Sequence, residues 1–97
     1  MSPNQSSPEW TPTEQSFLSR GQVLGNELFV QARDAIELIH HAQQAGETIL
    51  GLETFALRED GIHVQGIWPK TDEVEDLLSF LHDMVDTDFW FTIFLNA

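Results

Sequence analysis

The Asp60-Gly61 dipeptide, set between two apolar-rich runs, constrains this chain more than any other feature. Thr48 to Leu57 carries Ile49, Leu50, Leu52, Phe55 and Leu57, and the run from Ile62 to Trp68 follows at once. Asp-Gly accepts the backbone angles of a two-residue turn whose twist matches that of paired strands, so the two runs are predicted to form a β-hairpin. With Asp60 and Gly61 as the turn, Leu57 lies opposite Val64 and Phe55 opposite Gly66. Phe55, Leu57, Ile62 and Val64 then share one face, while Leu52, Thr54, Ala56, His63, Gln65 and Ile67 take the other.

The flanking segments read as helices and one more strand. Upstream, Leu28, Ala32, Ile36 and Ile39 recur at helical spacing with Ala35 and Ala42 beside them. Asn26 can cap the start and Gly46 can follow the end, which predicts a helix over residues 28–45. Phe17, Leu18, Val23 and Leu24 around Arg20 and Gly21 fit neither periodicity and read as a short irregular or extended segment. Downstream, Pro69 ends the second hairpin strand and Asp72 with Glu75 forms a capping box. Val74, Leu77, Leu78, Leu81 and Val85 make the buried stripe of the helix that follows. In the last strand, Phe89 to Leu95, Phe89, Phe91, Ile93 and Leu95 point one way and Trp90 and Phe94 the other, so both faces carry bulk.

The order α-β-β-α-β predicts a two-layer α+β domain: a three-stranded mixed sheet, made of the hairpin plus the C-terminal strand, with two helices on one face. A right-handed crossover makes the last strand parallel to the second, and a place beside the first gives the spatial order 2-1-3. Residues 1–15, rich in Ser, Pro, Thr, Asn and Gln, read as a flexible tail in which only Trp10 could dock, and residues 16–97 as a single domain. Ninety-seven residues leave no room for a second one.

Charge and composition narrow the function classes. Sixteen Asp and Glu against four Lys and Arg give a formal charge of −12, the reverse of the basic footprint that nucleic acids and anionic lipids require. The stretch Glu47 to Asp88 carries −9 of that total, so the acidity belongs mainly to the second half. There is no cysteine for a disulfide framework or a thiolate zinc site. The first residues have no signal-peptide pattern and no apolar run reaches membrane-spanning length, so a cytoplasmic location is expected.

Catalytic patterns are not found. His40 and His41 are neighbours on a helix and diverge by about 100°, too far to grip one ion together. His82 and Asp86, four residues apart, could share a divalent ion, but no second histidine is placed to complete the set, and an exposed intrahelical pair is the better reading. His63 and Glu53 project to opposite faces of the hairpin, which removes the simplest acid–base pairing. Gly21 and Gly25 do not form a phosphate loop, and Ser79 sits in a helix without a nucleophile elbow. No enzyme activity, cofactor or metal is expected.

What remains points to binding. Glu73 and Asp76 suit the positive end of the second helix, whereas Asp83, Asp86 and Asp88 cluster at its other end, where the helix dipole disfavours anions. A surface kept for a basic partner accounts for that cost, and so does drift on a stable helix. Among the aromatics Trp68, Trp90, Phe91 and Phe94, most suit a core, and the Trp90 and Phe94 face is the interface candidate. That face could be covered by the N-terminal segment, by a second copy of the chain in a homodimer, or by a partner. The candidate partner-binding set is therefore Glu73, Asp76, Asp83, Asp86, Asp88, Trp90 and Phe94.

The stretch Ala35-Ile36-Glu37-Leu38-Ile39, then Ile49-Leu50-Gly51 and a short strand and turn, resembles the immunity proteins of bacterial polymorphic toxin systems, in particular the immunity protein 40 family. The similarity spans residues 17–68, about half the chain. That family tends toward Gly-Asp after Leu-Gly, where this chain has Leu52-Glu53. The resemblance implies a cytoplasmic antidote that blocks a cognate toxin domain, such as a basic nuclease.

Overall fold

The computed structural model describes residues 10–67, 69, 71 and 73–96. Among the described residues, three α-helices accompany a curled five-stranded antiparallel sheet, in place of the predicted three-stranded mixed sheet with two helices. Helix α1 (Pro12–Phe17) and a 3-10 turn (Leu18–Arg20) precede strands β1 (Gln22–Leu24) and β2 (Glu27–Gln31). Helix α2 (Ala32–Gln44), strands β3 (Thr48–Arg58) and β4 (Gly61–Val64), helix α3 (Val74–Asp83) and strand β5 (Trp90–Asn96) complete the chain. The strand order is β1-β2-β5-β3-β4.

Strand β1 falls in the segment expected to be irregular or extended, and β2 lies where residues 28–31 are expected to be helical. Leu28, Phe29 and Val30 are consecutive and all buried, which a strand packed on both sides achieves and one face of a helix does not. Gly25, at φ +63°, and Asn26 form the two-residue turn joining β1 to β2, so Asn26 turns a hairpin and does not cap a helix. Strand β2 runs without a linker into α2, whose N-cap Gln31 makes no side-chain cap bond. The helical spacing of Leu28 with Ala32 is thus coincidental. At the other end, Gly46 follows the helix at φ +77°, in the left-handed conformation.

The N-terminal segment is more structured than its composition suggests. Residues 1–9 of the expected tail lie outside the described residues, but residues 12–15 belong to α1. Thr11 and Glu14 form a reciprocal capping box, with the Glu14 N–H donating to Thr11 Oγ1 at 3.1 Å and the Thr11 N–H to Glu14 Oε1 at 2.8 Å. The helix is pinned by Glu47, whose Oε2 accepts from the Thr13 N–H at 3.2 Å and the Thr13 hydroxyl at 2.8 Å. Trp10 packs against the core, and the buried Phe17 ring meets His41 edge-on at 5.2 Å. The Arg20 guanidinium, 4.6 Å from the centre of the Phe17 ring, bridges Asp34 and Glu37 of α2.

The β3–β4 hairpin forms, two residues out of the predicted register. Arg58 pairs with Gly61, Leu57 with Ile62 and Phe55 with Val64, so Glu59 and Asp60 are the turn. An even shift keeps every side chain on its predicted face. Strand β5 lies antiparallel beside β3 over Thr48–Phe55, with a bulge between Ile49 and Gly51. Helix α3 starts at Val74, and its N-cap Glu73 makes no side-chain cap bond, so Glu73 takes the capping position predicted for Asp72. Asp72 and Trp68 lie outside the described residues.

The core forms between helices and one sheet face. Ala35, Leu38 and Ile39 of α2 and Leu77 and Leu81 of α3 pack on Leu28, Val30, Leu52, Phe91 and Ile93. Among the described residues no helix is long and apolar enough to cross a membrane.

Candidate interaction surface

Among the described residues the opposite face of the sheet carries no helix, and it is not polar. Paired residues share a face, so the register places Phe55 with Trp90 and Val64, Leu57 with Ile62, and Phe29 with Gln22 on this side. Phe94, paired with Gly51, extends the same row along β5. Phe29 and Phe55 come from strands on either side of β5 and still meet edge to face, with ring centres 5.0 Å apart. Strands two places apart in a flat sheet are about 10 Å apart, so this contact requires curling and a small residue between. Thr92, two residues beyond Trp90 on the same face of β5, is buried, and its hydroxyl has no hydrogen-bond partner among the described residues.

Curling hides Phe29 and Phe55 but leaves their neighbours open. Leu24 is 37% exposed, Phe94 39%, Ile62 47% and Val64 58%, and all four lie on this face. Among the described residues, four of the six exposed large apolar side chains therefore fall on one side of the molecule, where Ile62 pairs with the half-buried Leu57 and Phe55 lies between Val64 and the half-buried Trp90. Scattered exposed apolar residues are ordinary on a protein surface, whereas several on one open sheet face make that face the candidate interaction surface of this chain.

Carboxylates surround this apolar centre. Glu27 and Glu53 lie on the face itself, opposite Leu24 and Thr92. Glu59 and Asp60 form the adjoining turn, and Asp88 precedes Trp90. Arg58 is the cation here, and its charge is already matched by Asp88 at 3.4 Å. The hydrogen bond from His63, at 2.8 Å, and its charge hold Asp60 below the usual carboxylate range.

The predicted binding residues do not converge. Trp90 and Phe94 lie on one sheet face, while α3 packs on the other. Glu73 and Asp76 stand at the start of α3, separated from Asp83 at its end by a helix about 15 Å long. All three, with Asp86, are exposed, and Asp76 accepts from the Thr71 hydroxyl. Only Asp88 of the acidic set accompanies the aromatic face. Sequence reading placed Phe55, Leu57, Ile62 and Val64 together without joining them to Trp90 and Phe94; that link is the β3–β5 pairing. Phe29 is hidden from sequence reading because residues 28–45 are expected to be helical, Glu27 because it precedes that helix with no strand pattern around it, and Glu53 because it is weighed only as a partner for His63.

His63 pairs with Ala56, on the face opposite Glu53. Among the described residues no three His, Asp or Glu side chains gather as metal ligands would. Fold and surface together define a class: an α+β domain with one sheet face sealed by helices and the other open, apolar and acid-rimmed. The chain matches no protein-family model, no curated protein and no solved structure.

Proposed function

We propose that this chain is a non-catalytic protein-binding domain that seats a basic protein on its open sheet face, acting in the cytoplasm as an immunity-type inhibitor of a toxin. The observation that carries this reading is the pairing of an apolar centre (Trp90, Phe94, Ile62, Val64) with a carboxylate rim (Glu27, Glu53, Glu59, Asp60, Asp88). Apolar anchors surrounded by charge are the usual anatomy of a specific protein interface, and complementary charge speeds encounter and excludes wrong partners. The same charge argues against a second copy as the occupant, because each copy has a net charge of −12 and would set one carboxylate rim against another. The immunity assignment draws on the resemblance at residues 35–39 and 49–51 and on an acidity suited to masking a basic active site.

The test is size exclusion with light scattering on the chain alone and after mixing with the product of the adjacent gene. The expected result is a monomer that shifts to a 1:1 complex, weakens as salt rises, and is lost in Phe94→Glu and Val64→Glu. A stable homodimer broken by Phe94→Glu would instead make this a self-associating protein. A complex that survives both substitutions but fails on charge reversal of Asp83 and Asp86 would move the interface to α3.

A further inference from the structure

The open face ends in a slot at the junction of β2 and β5. Strand β3 pairs with β5 from Trp90 to Asn96, but β2 pairs with it only at Val30 with Phe91 and Gln31 with Trp90. Before Val30, β2 pairs with β1 instead, so the β1–β2 hairpin peels away from the sheet. From Thr92 onward the second edge of β5 therefore has no strand partner among the described residues. A cleft of about 360 Å³ opens there, bounded by Leu28 on one side, Ile93 and Phe94 on the other, and Trp10 at one end. A water molecule occupies about 30 Å³ in the liquid, so this space admits a length of chain.

The lining shows what kind of chain. Among the described residues Glu14 and Glu27 are its charged residues, and no cation lines it. Thr92, more than nine-tenths buried and with an unpartnered hydroxyl, also borders it. An open strand edge recruits an extended segment through main-chain hydrogen bonds, with alternate side chains entering pockets on either face. Leu28 and Ile93 are on the helix side of the sheet and suit apolar residues. Glu27 and Phe94 are on the open side and suit a basic residue whose methylene stem covers the ring while its head meets the carboxylate.

We infer that this slot captures an extended basic segment of the partner as an added strand on β5, with Arg or Lys directed to Glu27. This rests on the basic-partner reading above and names the element recognised. The probe is a blocked hexapeptide, Thr-Val-Arg-Val-Arg-Thr, titrated into the full chain and followed through backbone amide and Trp10 indole resonances. Expected are shifts confined to Thr92–Leu95, Leu28 and Trp10, absent when the peptide carries Glu for Arg or N-methylated backbone. Glu27→Gln, whose carboxylate makes no hydrogen bond or ion pair among the described residues, should weaken binding on the order of tenfold, as loss of one charge-assisted hydrogen bond does.

Absence of shifts at millimolar peptide overturns the inference, as do shifts centred on Ile62 and Val64 or equal binding of the Glu peptide. A 1:1 complex with the adjacent gene product despite those negative results leaves the function standing and removes only the slot. Failure of that complex while the peptide binds does the reverse.

Discussion

Replacing Glu47 with Gln tests how the N-terminal helix is held. The carboxylate is 8% exposed and accepts two hydrogen bonds from Thr13 through one oxygen, while its other oxygen is buried without a partner. Burial pushes the group's pKa up, but the two hydrogen bonds from Thr13, helped by the nearby Thr11 hydroxyl, outweigh this and leave it below the usual value. Glutamine keeps the shape and one accepting oxygen but removes the charge that strengthens both bonds. With charge-assisted bonds contributing about 1.5–3 kcal/mol and neutral ones about 0.5–1.5, the loss is roughly 2 kcal/mol.

In urea, where a domain of this size loses about 1 kcal/mol per molar, the midpoint should fall by roughly 2 M at pH 7. Amide exchange at Thr13 should accelerate in parallel. The sign with pH follows from a folded-state pKa below the unfolded one. Glu47 contributes its full stabilisation above the unfolded value, and that contribution is lost as pH falls through the folded value. The gap between wild type and Glu47→Gln should therefore be largest near neutrality and close in acid. An unchanged midpoint at pH 7, or a gap of equal size at pH 3, would refute the claim that an ionised Glu47 pins α1.

Thr92→Val replaces a buried hydroxyl without a partner by a methyl of similar shape, and should raise stability by about 1 kcal/mol in urea denaturation. A loss of stability would show that the hydroxyl is satisfied. Gly21→Ala would place a Cβ 2.3 Å from the Phe29 carbonyl oxygen and 2.8 Å from Val30 Cγ1, contacts that backbone must shift to relieve. Overpacking of this kind costs about 1–3 kcal/mol, so thermal melts should show Tm lower by roughly 5–15 °C, and an unchanged Tm would contradict the close approach of the 3-10 turn to β2.

The elements that were legible in sequence are those whose signal is local. The hairpin was readable because its turn chemistry and both apolar runs lie within twenty-one residues of one another, and α3 because Leu77 and Leu81 face one way. The two-sided bulk of β5 was readable too, since alternation along a strand depends on nothing beyond the strand. Strands β1 and β2 were not legible: a three-residue strand such as β1 has too few positions to show a period. Leu28 also happens to fall in phase with the helix after it. Strand pairing over long loops lies beyond any local pattern, and the candidate surface depends on it.

The sequence by itself determined that the chain is acidic, that it lacks the motifs of common catalytic sites, and that Trp90 and Phe94 share a side of the last strand. Tertiary structure decided that Trp90 and Phe94 join Phe55, Ile62 and Val64 on an uncovered face, because β5 inserts between β2 and β3. It also separated those aromatics from the acids of α3, because the helices pack on the opposite side. Side-chain direction within a strand follows from the alternation of the backbone, whereas which strands become neighbours is set by how the whole chain buries its apolar surface.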